Sequence, residues 1–106
     1  ESSEKLMRDE LQQSYRETFR TGDTAARFAI CETALRNYPD DAEWRCRYAW
    51  DVWCNAVTLE NEAEFAAERD RSIELFRDVI DSCDSAEIKA QAGVGIVTEK
   101  GSRPRR

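Results

Sequence analysis

The stretch Asp40-Asp41-Ala42-Glu43-Trp44 returns 44 positions later as Asp84-Ser85-Ala86-Glu87-Ile88. In each copy an Asp stands three residues before a Glu, and this pattern is typical of a helix start, because the Asp side chain accepts a free backbone amide. We therefore predict that Asp40 and Asp84 open two helices. A helix-loop-helix unit used twice in tandem is the building block of α-solenoids, which stack their repeats and present a surface for binding.

The composition is that of one folded helical domain. A chain of 106 residues can bury enough apolar area to fold without disulfides or metals. Charged residues make up 36% of the chain and apolar residues 41%, while Gly and Pro number only 4 and 2, and this balance disfavours disorder. The formal net charge of −6 would repel nucleic acid from most of the surface, so we expect no direct contact with DNA.

Apolar residues at helical spacing predict about five helices, and no strand is predicted because alternation with a period of two is absent. Gly22 is expected to end the first helix and Asp23 to cap the second. Pro39 is expected to stop the second helix, and Asn61, three residues before a Glu, to cap the fourth. The predicted helices cover about residues 4–20, 24–37, 41–59 and 61–82, with a fifth from residue 85.

The third predicted helix carries all three tryptophans and is apolar nearly all round, so we expect it at the centre of the core. Its stripe of Arg47, Asp51 and Asn55 is the side that we expect to face solvent, with Arg47 and Asp51 paired one turn apart. Core packing is the favoured interpretation of the aromatic cluster, and a groove for a partner is the alternative. Under that alternative the partner-binding residues are Trp44, Arg47, Tyr48, Trp50 and Trp53.

The four cysteines do not have the spacing of a metal site. The chain contains no C-x-x-C pair and no His, and each Cys falls within or at the end of an apolar stripe. We therefore expect buried thiols that act as small apolar side chains, with a redox role as the alternative. These residues are Cys31, Cys46, Cys54 and Cys83.

Catalysis is disfavoured by the residue types present. Without His, the commonest general base near neutral pH is missing. Adjacent carboxylates such as Asp40 and Asp41 lie at predicted helix starts, where they stabilise the helix dipole. Gly93 and Gly95 follow no strand, as a phosphate-binding loop would require, and no calcium-loop pattern occurs. We therefore predict a protein that is not an enzyme, with no catalytic residue, no cofactor and no metal.

Residues 21–23 (TGD), 29–35 (AICETAL) and 38–41 (YPDD) resemble the tetratricopeptide-like (TPR-like) region of many bacterial transcription regulators. Residues 72–80 (SIELFRDVI), with the restart at 84–88, are similar to the second hairpin of the same group. The resemblance covers about residues 21–97. It implies an all-α fold of helical-hairpin repeats, that is, a TPR-like α-solenoid. It also implies a helix-turn-helix domain of the xenobiotic-response-element class upstream, and DNA contact only through that domain.

We divide the chain into a lead-in helix at residues 1–20, a TPR-like helical-repeat domain at 21–97 and a disordered tail at 98–106. Because the chain begins at Glu1 and not at Met, we expect a piece of a longer protein. No apolar run approaches the roughly 20 residues that cross a bilayer, so we expect a cytoplasmic protein without membrane contact.

Two functions of different classes fit these observations. The first is a regulatory, dimerising or effector-sensing domain of a bacterial transcription regulator. The alternative is a free-standing adaptor that holds a peptide or protein partner in its concave face. In both cases the expected partner is a protein or peptide, and a second copy of the chain is one possibility.

Overall fold

The computed structural model describes the backbone of residues 2–100 and the side chains of residues 7–96, and this part of the chain contains helices and no strand. The prediction of an all-α fold with about five helices is therefore confirmed. In chain order the helices are α1 (Ser2–Thr21), α2 (Thr24–Asn37), α3 (Ala42–Ala56), α4 (Glu62–Ser82) and α5 (Ala86–Lys100). Helix α5 extends three residues into the predicted tail, and residues 101–106 lie outside the described residues.

The turn between α1 and α2 forms as its residue types predict. Gly22 has a φ of 72°, a left-handed conformation that glycine adopts without steric cost, and α1 ends just before it. The Asp23 carboxylate then accepts a hydrogen bond of 3.0 Å from the Ala26 amide and caps α2. Helix α2 ends at Asn37, two residues before Pro39, as predicted.

The repeated Asp-x-x-Glu stretches do open helices, but the capping residues lie one position later than predicted. The Asp41 carboxylate accepts from the Trp44 amide at 3.1 Å, and the Ser85 hydroxyl accepts from the Ile88 amide at 3.3 Å. In the first copy the Asp41 amide donates to the Tyr38 carbonyl at 3.1 Å. Asp40 is therefore part of the preceding turn, and Asp41 is the first residue placed to cap.

Helix α3 is shorter than predicted, since it ends at Ala56 and not at Leu59. The Thr58 amide donates to the Asn55 carbonyl at 3.1 Å, and the Thr58 hydroxyl donates to the same carbonyl at 2.7 Å. Threonine offers the backbone this alternative to a further helical turn. The cap of α4 is confirmed, because the Asn61 side chain accepts from the Glu64 amide at 3.0 Å.

Each helix packs on the next in sequence, and α5 also packs on α3. Three apolar clusters form the core, and α3 supplies buried residues to all of them, so the prediction that α3 is central is confirmed. Their buried members are Cys46, Ala49, Phe76, Val79, Cys83 and Ala92 in the first, Tyr15, Cys31, Ala34 and Trp44 in the second, and Trp53, Ala56 and Phe65 in the third.

The buried Phe76 ring explains one of the two glycines within α5. A Cβ atom added at Gly95 would lie 2.6 Å from Cζ and 2.7 Å from Cε2 of Phe76, whereas a Cβ at Gly93 would have no atom within 4 Å apart from its chain neighbours and the backbone of its own helix. Phe76 is fully buried, so its ring has little room to move.

We expect Gly95→Ala to lower the free energy of unfolding by about 1–3 kcal/mol, because the new methyl group overpacks the core. The matched control Gly93→Ala should raise it by up to about 1 kcal/mol, since alanine favours the helix and meets no neighbour. Urea denaturation of both variants measures the difference. Equal stability of the two would contradict the close packing of α5 on Phe76.

Candidate functional site

The tryptophans of α3 are divided over the core: Trp44 belongs to one apolar cluster and Trp53 to another, and Trp50 packs against the cluster of Trp53. Trp44 is fully buried, with its ring 5.5 Å from that of Tyr15. Trp53 is 7% exposed and its ring lies 5.9 Å from that of Phe65. Trp50 is half-buried, against Phe76. The favoured core interpretation is confirmed for the first two, and the three rings do not line one common surface.

Arg47 joins α1 to α3 through its guanidinium group. This group lies over the Trp44 ring at 4.6 Å and over the Tyr15 ring at 5.2 Å, distances typical of cation–π contacts. The carboxylate with which it pairs, at 3.5 Å, belongs to Glu43, so the predicted ion pair with Asp51 is wrong. Arg47 is therefore a partly buried packing group at this junction.

Asp51 is buried, only 2% exposed, and the prediction that it faces solvent is wrong. The Tyr15 hydroxyl of α1 donates to its Oδ1 at 3.4 Å, and the Cys31 thiol of α2 donates to its Oδ2 at 3.1 Å. The exposed side of α3 is instead the one that carries Glu43 and Cys54. Three helices thus meet at one buried carboxylate.

Burial sets the protonation of this cluster. It raises the pKa of Asp51 because the charged carboxylate is desolvated, while the Cys31 hydrogen bond and the charge of Arg27 act in the opposite direction. Burial also raises the pKa of the Tyr15 hydroxyl and of the Cys31 thiol above their ordinary values. Both groups therefore keep their protons near neutral pH and remain hydrogen-bond donors to Asp51.

The four cysteines form no disulfide. Cys31, Cys46 and Cys83 are buried as predicted, but Cys54 is exposed, because it lies on the solvent side of the last turn of α3. Burial raises the pKa of the Cys46 thiol to about 11, so this thiol is protonated at neutral pH and is a weak nucleophile. Within the part of the chain that the structure describes, no three His, Cys, Asp or Glu side chains are grouped as metal ligands would be.

An open groove crosses α3 between α2 and α4, and we call it the α2–α4 groove. It consists of two adjoining depressions of about 390 Å³ and 200 Å³ that share Leu35 and Tyr48. The residues that line it are Glu32, Leu35, Arg36, Pro39, Arg45, Tyr48 and Leu75. The lining combines apolar side chains, which we call the floor, with the charged side chains Glu32, Arg36 and Arg45, which we call the edges, and such a combination is usual for a binding groove.

Tyr48 is the predicted partner-binding residue that the structure places in this groove. Its ring lies 5.9 Å from that of Phe28 on α2, and its hydroxyl accepts a hydrogen bond of 2.6 Å from Arg71 on α4. The ring is thus held from both sides and is half-buried. Leu35, Arg36 and Arg45 share the groove with Tyr48. They could not be predicted from the sequence, because no local pattern joins positions on separate helices.

A second depression, of about 460 Å³, lies on the outer face of α4. Its arginines are paired with its own carboxylates, since Arg69 contacts Asp70 at 3.3 Å and Arg77 contacts Glu74 at 3.4 Å. Exposed pairs of this kind are typical of a solvated helix surface. The α2–α4 groove, which combines apolar and charged groups, is the better candidate site.

We expect the unchanged protein to lose stability as the pH rises, because Asp51 becomes charged while it is buried. Asp51→Asn should remove this loss. Because the folded-state pKa of Asp51 is raised above the unfolded value of 3.8, its stabilising effect is present below that value and is lost as the pH rises through the folded-state pKa. The variant should gain about 1.4 kcal/mol relative to the protein for each pKa unit of difference.

Urea denaturation of the protein and the variant between about pH 4 and about pH 8 measures this gain. The control Asp81→Asn removes an exposed carboxylate from α4 and should change the stability less. If the difference in the free energy of unfolding between Asp51→Asn and the unchanged protein stayed constant over this pH range, the burial of a carboxylate at position 51 would be contradicted.

Comparisons with family models, curated proteins and solved structures gave no significant match. The resemblance to regulators thus has the residues quoted for it as its only support. Among the described helices, none is both long enough and apolar enough to span a membrane. The function is therefore inferred from the α2–α4 groove and its surroundings.

Proposed function

We propose that this protein is an interaction module that holds a segment of another protein in the α2–α4 groove. One observation carries the proposal: the apolar side chains of Leu35 and Tyr48 line both of two adjoining depressions, which makes them one continuous groove. A groove of this kind accepts apolar side chains while its charged edges contact the backbone or polar side chains of the partner. The proposed role is binding and not catalysis.

Support for the proposal comes from the way the groove is held. Three separate helices contribute to it, and the Tyr48 ring contacts Phe28 on one side and Arg71 on the other. A site that is held in place before binding loses less conformational entropy when a partner is ordered on it. The packing of each helix on the next also supports a TPR-like arrangement of hairpins, which is part of the proposal.

We further propose, from the family resemblance at residues 21–97, that the module serves a bacterial transcription regulator in the cytoplasm. In this proposal a separate domain, encoded upstream of Glu1, contacts DNA. Support comes from the charge of this chain, because a net charge of −6 is unsuited to contact with phosphates.

The regulator proposal is tested by the sequence of the gene upstream of the codon for Glu1. We expect a basic segment of roughly 70 residues with a helix-turn-helix. A start codon close to Glu1, or a neighbouring domain that is not basic, would leave the free-standing adaptor as the better proposal.

The groove proposal predicts that peptides selected from a random twelve-residue display library for binding to the whole chain will contact Tyr48. Tyr48→Ala should weaken their binding by about tenfold or more, since removal of an aromatic anchor commonly costs 2 kcal/mol or more. Isothermal titration calorimetry measures the affinity, and NMR shifts at Leu35, Tyr48 and Leu75 locate the site.

Phe19→Ala is the matched control, because it removes an aromatic ring that is 59% exposed on α1, outside the groove. It should leave peptide affinity within about twofold of the starting value. Failure to select any binder, or binders whose NMR shifts lie outside the groove, would refute the proposal. Self-association in sedimentation, abolished by Tyr48→Ala, would instead assign the groove to a second copy of the chain.

A further inference from the structure

The arginines at the edges of the α2–α4 groove differ from most others in the chain. Arg36 and Arg45 form no ion pair with any residue among those described, whereas six other arginines each contact a carboxylate. Arg36 donates to the Thr33 hydroxyl at 3.2 Å and Arg45 donates to the Ser82 hydroxyl at 2.7 Å. These partners are neutral, so no ion pair offsets the charge of either guanidinium group, although the Glu32 carboxylate also lines the depression of Arg36.

The positions of the two arginines relative to the apolar floor matter as much as their charge. Arg36 lines the larger depression and Arg45 the smaller one, and Leu35 and Tyr48 lie in both. A guanidinium group has five N–H donors, and one hydrogen bond to a hydroxyl leaves most of them available. A chain lying over Leu35 and Tyr48 would therefore meet unpaired N–H donors in each of the two depressions.

We infer that the segment bound in the groove is acidic, with Asp or Glu side chains next to a bulky apolar one. This inference rests on the proposed function, because it names the chemistry of the partner at the same site. Carboxylates complement Arg36 and Arg45, since arginine and carboxylate form short, charge-assisted hydrogen bonds. The apolar side chain enters the smaller depression, which Pro39, Tyr48 and Leu75 line.

The rest of the protein surface is mostly acidic, so an acidic partner would be attracted mainly at the groove. The chain has 22 Asp and Glu against 16 Lys and Arg, so most of its surface repels an acidic peptide. Attraction concentrated at the groove on a mostly repelling surface disfavours binding elsewhere and favours one orientation of the partner. A nucleic acid, with a charge on every phosphate, would experience more of that repulsion.

The test uses three twelve-residue peptides that share one apolar sequence from the display selection. One carries Glu at the intervening positions, the second carries Gln and the third Lys. We expect the Glu peptide to bind at least about tenfold more tightly than the Gln peptide and the Lys peptide to bind weakest, with the preference for Glu falling as salt rises.

Variants assign that preference to the two arginines. Arg36→Ala and Arg45→Ala should each weaken binding of the Glu peptide by about threefold to tenfold and change binding of the Gln peptide little. Arg16→Ala is the matched control, because Arg16 is also exposed and outside any described ion pair but lies on α1. This variant should bind the Glu peptide within about twofold of the unchanged protein.

The outcomes separate the inference from the proposed function. Tighter binding of the Gln or Lys peptide at the groove, or no effect of either arginine variant, would overturn the inference and leave the groove as a peptide site. Binding of a twelve-nucleotide RNA more tightly than the Glu peptide, lost in both arginine variants, would overturn it in favour of a phosphate site. Binding that Tyr48→Ala leaves unchanged would refute the proposed function itself.

Discussion

The structure depends on the burial of α3 on nearly every side. Seven of its side chains are buried, and each of the three apolar clusters includes at least one of them. A helix with so wide an apolar surface is stable in water only when several neighbours cover it. Helix α3 lies in the middle of the chain, so α2 reaches it from one side through a short loop, and α4 and α5 reach it from the other.

Asp51 is the exception within that central helix, and it limits how the neighbours can pack. Apolar contacts are non-directional, so they alone would tolerate a small sliding or rotation of α1 and α2 against α3. The hydrogen bonds from Tyr15 and Cys31 are directional, and loss of either would leave a buried carboxylate less well satisfied. The carboxylate therefore favours one register of α1 and α2, although its own desolvation is unfavourable.

The helix ends were the most predictable part of the fold because each depends on residues close together in sequence. The roles predicted for Gly22, Asp23 and Asn61 are confirmed. Each of these residues ends or caps a helix through groups no more than three or four positions away in sequence. The caps at Asp41 and Ser85 were misplaced by one residue. For Asp41 the cause is the backbone hydrogen bond from its amide to the Tyr38 carbonyl, which puts Asp40 in the preceding turn. The Asp-x-x-Glu pattern gives no information about this hydrogen bond.

The exposed side of α3 and the groove could not be read from local patterns in the same way. The sequence shows that α3 has a polar stripe at Arg47, Asp51 and Asn55, but not that Tyr15, from a helix more than 30 residues earlier, reaches that stripe with a hydrogen-bond donor. The groove likewise joins Leu35, Tyr48 and Leu75 from three helices. Of its lining residues only Tyr48 was selected in advance, because aromatic rings on a central helix are conspicuous.

The charge pattern around the groove has a physical consequence for the proposed binding of an acidic segment. Arg36 and Arg45 form no described ion pair, although acidic residues outnumber basic ones in the chain and Glu32 lines the same depression as Arg36. They donate instead to the hydroxyls of Thr33 and Ser82. A guanidinium group that is already paired must lose one carboxylate before it gains another, and the exchange adds little free energy. Arginines held by neutral acceptors incur no such loss, so their electrostatic attraction for the proposed acidic segment is larger.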